Sequence, residues 1–315
     1  MELKSILVIR PSSLGNVVHA LMIVQTIRDH FPELEIDFLV RDRFAPIVEL
    51  CGSVDNIIQF ERKGGLFGFW RLLKKIREKR YDAVLDIQAQ FRTGLMVLAA
   101  KSPLKIGRRD AREGSGIACN HIIDLPKNPH PHQVDTFLQF LPALGKPAQL
   151  GSPVDFQVPG VATIVPELAS NPPILLLPHS RGKEKEWPYF RELTHRILES
   201  MPGQSVVWDS HIPIPSLELE GITGFFNTTG KTSIPEMISL VKAARVVVAN
   251  DTGPMHIAAA TARPTIAIFG PTRFEKYGAY PLDNPRNRNI QSQEKDWSDV
   301  TVDRILALVQ ELAAL

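Results

Sequence analysis

The chain has 315 residues, of which 44% are hydrophobic and 22% are charged, and its formal net charge is +2. This length favours two domains over one core, and the charge lacks the basic excess typical of nucleic-acid-binding proteins. Two cysteines exclude a disulfide framework and a cysteine-based zinc site. No signal-peptide pattern opens the chain, and no apolar run reaches the ~18 residues that span a bilayer. We therefore expect a cytoplasmic protein.

Strand-like and helix-like segments alternate along the first half, which is typical of an α/β fold with parallel sheets. Apolar runs predict strands at 5–10, 35–40, 56–60 and 82–87. Helical periodicity predicts helices at 16–31, 43–50, 67–80, 90–101 and 131–144. The stretch 143–160 is rich in proline and glycine, so it predicts a linker between two domains.

The pattern then begins again, because "PPILLLPHS" (172–180), like "SILVIRPSS" (5–13), is an apolar strand that ends in a Pro/Ser turn. The segments that follow predict strands at 204–208, 245–250 and 265–270, and helices at 188–200, 233–243, 254–262 and 299–314. We predict three parts: a domain over 1–160, a second over 161–298, and a helix segment, 299–315, that packs back on the first domain. Ligands of such sheets bind at the carboxyl ends of the strands, so two sheets facing one cleft are the simplest arrangement.

The strongest chemical signal is "NDTGPMHIAAATARPTIAIFGPT" (250–272), where a strand is followed directly by a helix. Gly253 lets an anion approach the backbone, and the helix dipole favours negative charge there. His256 lies in the first turn of the same predicted helix. The alternative is an ordinary capped helix in which Asp251 is a structural cap.

A second strand–turn–helix, "LPHSRGKEKEWPYFRELTHRI" (177–197), carries a serine and three cations, Ser180, Arg181, Lys183 and Lys185. Cations at the end of a strand suit a diphosphate, for which lysine is a mobile point charge. The alternative is a solvated charge cluster, because Glu184 and Glu186 are interleaved. That alternative is favoured for Lys183 and disfavoured for Lys185.

The segment 62–81 combines aromatic and aliphatic residues with eight basic ones, Arg62, Lys63, Arg71, Lys74, Lys75, Arg77, Lys79 and Arg80. This composition fits attachment to an anionic membrane surface. The alternative is an amphipathic helix packed on its own sheet with a solvated basic face. The histidines of 121–137 lack the spacing of a metal site, and no metal site is expected.

Taken in order, four segments resemble glycosyltransferase family 9, the bacterial lipopolysaccharide heptosyltransferases. They are "ILVIRPSSLGNVVHALMIVQTIRDHFPELEIDFLVRDRFAPIVE" (6–49), "YDAVLDIQAQFRTGL" (81–95), "PHSRGKEKEWP" (178–188) and "NDTGPMHIAAATARPTIAIFGPT" (250–272). Within the family, the chain resembles most the heptosyltransferases that add the first heptose to the Kdo of lipid A.

The resemblance implies a GT-B fold, in which two Rossmann-like domains with parallel sheets face a central cleft. The first domain would be the acceptor side and the second would hold the nucleotide-sugar donor. It implies an inverting, metal-independent transfer of heptose from ADP-heptose to a Kdo/lipid A-type acceptor in lipopolysaccharide core biosynthesis, without a cofactor. The enzyme would be peripheral on the cytoplasmic face of the inner membrane and would bind no nucleic acid.

The resemblance also implies a set of site residues by motif position. On the donor side these are Ser180, Lys185, Lys231, Asp251, Thr252, Gly253 and His256. Ser12, Ser13 and Gly15 belong to the turn "RPSSLGNVVHA" (10–20), which would face the donor phosphates across the cleft. Lys185 and a helix N-terminus would meet the charge of the leaving group.

Asn16 stands where the family carries the aspartate proposed to take a proton from the acceptor hydroxyl. An amide is essentially non-basic, so Asn16 cannot take that proton. Three explanations are open: an engineered inactive variant, another base such as His19 or the more distant Asp86, or a non-catalytic pseudoenzyme that binds nucleotide sugars. A second departure lies in 206–221, where the family's ribose-binding pattern is absent and Glu218 is the substitute candidate, so another sugar donor is also possible.

A nicotinamide dehydrogenase would need G-x-G-x-x-G after the first strand, and the turn there has one glycine. An epimerase acting on nucleotide sugars would share the fold and the cleft.

Overall fold

The computed structural model describes residues 3–315, and these divide into two compact units, the first ending at Gln157 and the second spanning Val158–Leu315. The strands of the first unit are β1 (Ser5–Ile9), β2 (Glu35–Arg41), β3 (Asn56–Phe60), β4 (Ala83–Asp86), β5 (Leu104–Arg108) and β6 (His121–Ile123). Its helices are α1 (Leu14–His30), α2 (Ala45–Glu49), α3 (Gly65–Glu78), α4 (Phe91–Ala99), α5 (Gln133–Leu138) and α6 (Phe140–Ala143).

The first unit contains one parallel sheet in the order β3-β2-β1-β4-β5-β6. Its centre is apolar because helices cover both faces of such a sheet. Val8 of β1 pairs with Phe38 of β2 and with Leu85 of β4, and all three side chains are fully buried. The strand order reverses between β1 and β4, and ligands of doubly wound sheets bind at such a point.

The strands of the second unit are β7 (Ile174–Leu177), β8 (Val206–Trp208), β9 (Phe225–Asn227), β10 (Val246–Asn250), β11 (Thr265–Phe269) and β12 (Asn287–Gln291). Its helices are α7 (Phe190–Ser200), α8 (Ile234–Ala243), α9 (Gly253–Ala260), α10 (Phe274–Tyr277) and α11 (Val302–Ala313). The parallel sheet has the order β12-β11-β10-β7-β8-β9, which repeats the topology of the first unit. Its reversal point lies between β7 and β10.

Helix α11 packs within the second unit. Its apolar residues recur every three or four positions, and Val302, Ile305 and Val309 are buried in one core with Trp187. The indole Nε1 of Trp187 donates to the carbonyl oxygen of Val300 at 2.9 Å, just ahead of the helix. The sequence placed this helix against the first domain; its apolar face instead completes the core of the second unit.

The α/β class with parallel sheets is confirmed, and each strand predicted from an apolar run is present. The segment 131–144, predicted as one helix, forms two, α5 and α6. Pro142 explains the break, because proline lacks an N–H and its ring clashes with the carbonyl four residues earlier. The strands β5, β6, β9 and β12 and the short helix α10 were not predicted.

Candidate functional site

In the second unit, the two loops at the sheet's reversal point are joined by side-chain contacts. Nζ of Lys185, in the loop after β7, lies 2.7 Å from Oδ2 of Asp251, which follows β10. Oγ of Ser180 donates to the carbonyl oxygen of Asp251 at 2.7 Å. The amide of Asn250 donates to the carbonyl of Pro178 and accepts from the backbone N–H of Trp187. The structure therefore brings Ser180, Lys185 and Asp251 together at the carboxyl edge of this sheet.

Glu186 shapes the loop after β7. One carboxylate oxygen, Oε1, lies 2.7 Å from Nδ1 of His179 and accepts from the backbone N–H of Ser180 at 3.0 Å. This carboxylate therefore binds groups of its own turn, and Lys185 pairs with Asp251 instead. Lys183 is exposed on the same turn, in agreement with its interpretation as a solvated charge.

Helix α9 begins directly beside this ion pair. Thr252 is its N-cap in extended conformation, Gly253 is its first residue and Pro254 follows. The first backbone N–H groups of a helix have no partner within the helix, and they carry the positive end of its dipole. Lys185 and this helix start together place an ammonium group beside backbone N–H donors, a combination suited to a phosphate.

His256 lies one turn into α9 and is 7% exposed. Burial lowers the pKa of its imidazole to about 4; the Asp251 carboxylate acts in the opposite direction, and the Lys185 ammonium lowers it further. The ring is therefore neutral at pH 7. It can hydrogen-bond a ligand there without adding charge.

Lys231 lies beside a pocket of about 450 Å³ in the second unit, next to the carboxyl end of β9. Its Nζ donates to the carbonyl of Asn227 at 3.0 Å. Thr228 and Thr232 line the same pocket, and both donate their hydroxyls to Oδ1 of Asp209, at 3.0 and 2.7 Å. Burial raises the pKa of Asp209 to about 6. Sequence reasoning did not single out Asp209, although it follows β8 directly.

Glu218, the substitute candidate for the family's ribose ligand, pairs with Arg191 at 2.8 Å. Both side chains are exposed, and Glu218 does not line the pocket beside Lys231. Glu236 lines that pocket instead, and its Oε2 accepts from the backbone N–H and the hydroxyl of Ser233.

In the first unit, the turn after β1 carries the second group of predicted residues. Ser13 is the N-cap of α1, so Asn16 is the third residue of the helix rather than its first. Nδ2 of Asn16 donates to Oγ of Ser13 at 3.2 Å. One N–H of the amide is thereby engaged within the turn, which leaves the oxygen Oδ1 and the second N–H for a ligand. Ser12 and Gly15 are half-buried in the same turn.

The two alternative bases are placed differently. His19 is 2% exposed, and its ring packs edge-on against that of His132, with the centroids 5.2 Å apart, where α1 meets α5. Asp86 is 1% exposed at the end of β4. Its Oδ1 accepts from the backbone N–H of Ala89 at 2.9 Å and its Oδ2 from the hydroxyl of Thr93 at 3.1 Å. Burial raises the pKa of Asp86 to about 6.

Sequence reasoning also missed two arginines beside Asp86. Arg10 directly follows β1 and Arg108 ends β5, and each donates to the carbonyl of Ile87, at 3.1 and 3.2 Å. Both guanidinium groups lie over the ring of Phe137. Gln88, next in the chain, has a buried side-chain oxygen without a protein hydrogen-bond partner in the described residues. The two arginines could have been predicted from their position at the carboxyl ends of strands.

Within residues 3–315, no three His, Cys, Asp or Glu side chains are grouped as metal ligands. No helix of that range is both long enough and apolar enough to cross a membrane.

The family model for glycosyltransferase family 9 (heptosyltransferase) matches residues 69–304 of this chain. The chain belongs to this family. It is therefore a glycosyltransferase by family, and the repeated Rossmann-like topology is that of the GT-B fold. The match spans the Lys185–Asp251 pair and the start of α9, but it begins after the turn that carries Asn16.

Curated relatives cover nearly the whole chain. The lipopolysaccharide core heptosyltransferase OpsX of Haemophilus influenzae is 29% identical over 93% of this chain and 87% of its own length. Lipopolysaccharide heptosyltransferase 1 of Escherichia coli is 26% identical over 91% of this chain and 97% of its own. These alignments reach well beyond the family model.

Solved structures share the fold. The Escherichia coli heptosyltransferase WaaC, determined with ADP, superposes with a TM-score of 0.79 at 22% identity, over 98% of this chain and 99% of that one. A family 9 glycosyltransferase from Veillonella parvula gives a TM-score of 0.81 at 18% identity, over 100% and 99%.

Proposed function

We propose that this chain transfers heptose from ADP-heptose to a Kdo/lipid A-type acceptor in lipopolysaccharide core biosynthesis. The observation that carries the proposal is the Lys185–Asp251 pair at the start of α9. The donor is taken from the relatives, which are named as lipopolysaccharide heptosyltransferases and include a structure with ADP. The reaction is proposed to be inverting and to need neither metal nor cofactor.

In an inverting transfer, the acceptor hydroxyl oxygen attacks the anomeric carbon while the bond from that carbon to the β-phosphate oxygen of ADP breaks. Negative charge then accumulates on the departing diphosphate. Lys185 and the N–H groups of Thr252 and Gly253 supply positive charge and donors for it. His256 is neutral at pH 7 and adds a hydrogen-bonding group beside them. The pocket beside Lys231 is assigned to the nucleoside end of the donor.

The acceptor hydroxyl must lose its proton as the new bond forms, and Asn16 cannot receive it. Oδ1 of Asn16 can accept a hydrogen bond from that hydroxyl and orient it, and the bond from Nδ2 to Ser13 holds the amide in place. Solvent or the departing phosphate then takes the proton. A general base contributes about 10²–10⁴-fold, so we propose that transfer persists at a reduced rate.

The test compares the wild-type chain with Asn16→Asp and Asn16→Ala, each incubated with ADP-heptose and a Kdo-lipid acceptor. We expect slow transfer by the wild type, faster transfer by Asn16→Asp, and the slowest by Asn16→Ala. Equal rates for wild type and Asn16→Asp would refute the proposal that Asn16 slows transfer because it cannot act as the base. ADP-heptose binding without transfer in all three would instead support the second candidate function, a nucleotide-sugar-binding pseudoenzyme, which Asn16 itself favours.

The donor is identified separately by thermal unfolding with ADP-, UDP- and GDP-linked sugars. A ligand that binds only the native state raises the apparent stability. We expect ADP-heptose to give the largest rise. A larger rise with a UDP- or GDP-linked sugar would show a family member that uses another donor.

A further inference from the structure

The first unit carries an apolar groove that none of the site residues uses. It lies between α3 and α4, has a volume of about 760 Å³, and is lined by Phe67, Trp70 and Leu73 on one side and Leu95 and Leu98 on the other. This volume lies in the range of small-ligand pockets, about 300–1,000 Å³. Phe67 is 83% exposed, Trp70 68% and Leu98 56%. Large side chains of this kind are rarely left together in water without a partner.

Helix α3 has two apolar faces. Phe69, Leu72, Leu73 and Ile76 contact the core of the first unit. Phe67 and Trp70 do not belong to that core and open onto the groove. Stable packing of α3 on its own sheet needs only the first face, so the groove face is free to take an occupant.

The rim of the groove is basic. Arg71, Lys74 and Arg77 line it beside the aromatic side chains. The sequences of α3 and α4 together hold five basic residues and one acid, Glu78. An apolar floor with a cationic rim is complementary to an acyl chain that carries an anionic headgroup. An acidic peptide would leave much of this floor without apolar contacts.

We propose that the α3–α4 groove docks the protein on an anionic lipid bilayer, with an acyl chain of a membrane lipid in the groove and phosphate headgroups on its rim. This docking surface is more specific than the basic segment 62–81, because α4 supplies one wall. The inference rests on the proposed function in one respect only: a lipid-linked acceptor brings the enzyme to a membrane. Vesicle binding and sugar transfer are therefore measured separately.

Trp70 supplies the probe. The chain has four tryptophans, and the other three, Trp187, Trp208 and Trp297, are at most 6% exposed. The full-length protein is mixed with phosphatidylcholine vesicles that contain or lack phosphatidylglycerol. We expect binding to the anionic vesicles, a blue shift of tryptophan emission, and quenching by lipids with brominated acyl chains. The Trp70→Phe variant should still bind but lose most of the shift and the quenching.

Two variants distinguish binding through the groove from non-specific electrostatic attraction to the anionic vesicles. Leu98→Asp places a carboxylate in the groove and should weaken vesicle binding at least about tenfold. Arg71→Gln with Lys74→Gln should weaken it by about tenfold or more at low salt, and less at high salt. The matched controls lie in the second unit: Leu217→Asp, at a side chain 78% exposed, and Lys276→Gln with Arg286→Gln. Unchanged melting temperature and ADP binding show that each variant is folded.

Several outcomes overturn the proposal. Equal binding of Leu98→Asp and Leu217→Asp would show that the groove is not used. Absence of vesicle binding, together with transfer to a detergent-dispersed acceptor, would refute the docking surface and leave the proposed function intact. Vesicle binding without transfer in any variant would refute the function and leave the docking surface. A dimer that Leu98→Asp dissociates, without vesicle binding, would identify a second copy as the occupant.

Discussion

Nζ of Lys185 lies 2.7 Å from Oδ2 of Asp251, and this ion pair joins the loops that follow β7 and β10. The two side chains are 28% and 11% exposed, so both are partly accessible to a ligand. In the proposed reaction, removal of the ammonium would leave the Asp251 carboxylate beside the departing diphosphate without its counter-charge. The pair therefore leads to a prediction about catalysis.

We expect Lys185→Met to lower kcat for heptose transfer about 10²–10³-fold, because an interaction that forms with the leaving-group charge is lost. Lys185→Arg should retain part of the rate, since it keeps the charge but not the compact point geometry. Steady-state kinetics with ADP-heptose measures the effect. Lys183→Met is the matched control, two residues away and exposed. A similar loss in both variants would contradict the role given to Lys185.

His256 should make the stability of the fold sensitive to acid. Its pKa is lowered to about 4 by burial, below the ordinary value of 6.5. Between these two pH values the unfolded chain binds more protons than the folded one, so the free energy of unfolding rises with pH across this window. The stabilisation is fully present above about pH 6.5 and is lost as the pH falls towards 4.

The measurement is urea unfolding of the wild type and of His256→Gln between pH 4 and pH 7.5. We expect the difference between their free energies of unfolding to favour the wild type most at neutral pH and to shrink in acid, because glutamine does not titrate. A constant difference across the range would show that His256 does not titrate in this window. The comparison with the variant is needed because Asp86 and Asp209 act in the opposite sense.

Apolar runs were sufficient to predict the centre of each sheet, since β1, β4, β7 and β10 are buried on both faces and read as continuous hydrophobic segments. The missed strands lie mostly at sheet edges. β12 has the sequence NRNIQ, in which four of five residues are polar, and β6 and β9 have three residues each. Their extended conformation comes from pairing with a neighbour that is distant in sequence, which no local pattern records.

The candidate site, like the sheets, was predictable from the sequence where local patterns determine it and not where distant segments meet. Strand–turn–helix patterns indicated Lys185, Asp251 and the start of α9, because charge and capping are local signals. The roles of Glu186 and Asp209 depend on which loops meet at the carboxyl edge of the sheet. The depressed pKa of His256 depends on burial, and one turn of sequence does not specify burial.

Replacement of Asp209 by asparagine should stabilise the folded protein at neutral pH. Burial raises its pKa from 3.8 to about 6, so its charged form costs stability above pH 6, and the cost disappears as the pH falls towards 4. The oxygen of an asparagine can still accept from Thr228 and Thr232. We expect Asp209→Asn to raise the free energy of unfolding at pH 7.5 by about 1–2 kcal/mol, because loss of the hydrogen bond from the backbone N–H of Ser210 offsets part of the gain.

The control is Asp209→Ala, which leaves both threonine hydroxyls without this acceptor and should lower the free energy of unfolding by about 1–3 kcal/mol. Urea unfolding at pH 7.5 and pH 4.5 distinguishes the two variants. If Asp209→Asn destabilised the protein at pH 7.5 as much as Asp209→Ala does, the charge itself would be required, and the raised pKa would be the wrong explanation.

A substitution of Asp86 tests whether this residue takes the proton of the acceptor hydroxyl. Both of its carboxylate oxygens accept hydrogen bonds, from Ala89 and Thr93, and the side chain is 1% exposed. This geometry makes it a fixed part of the turn after β4 rather than a base that reaches a substrate. An asparagine can keep the bond from Ala89, and its Nδ2 can donate to the hydroxyl oxygen of Thr93.

We therefore expect Asp86→Asn to retain most of the transfer rate and not to lower the free energy of unfolding at neutral pH, because burial raises the pKa of Asp86 to about 6 even beside Arg10 and Arg108, so that its charged form costs stability. Asp86→Ala should destabilise the protein, since the backbone N–H of Ala89 loses its acceptor. Transfer rate and urea unfolding are measured on the same samples. A folded Asp86→Asn protein whose rate has dropped about 10²-fold or more would identify Asp86 as the base, and Asn16→Asp would then have little to restore.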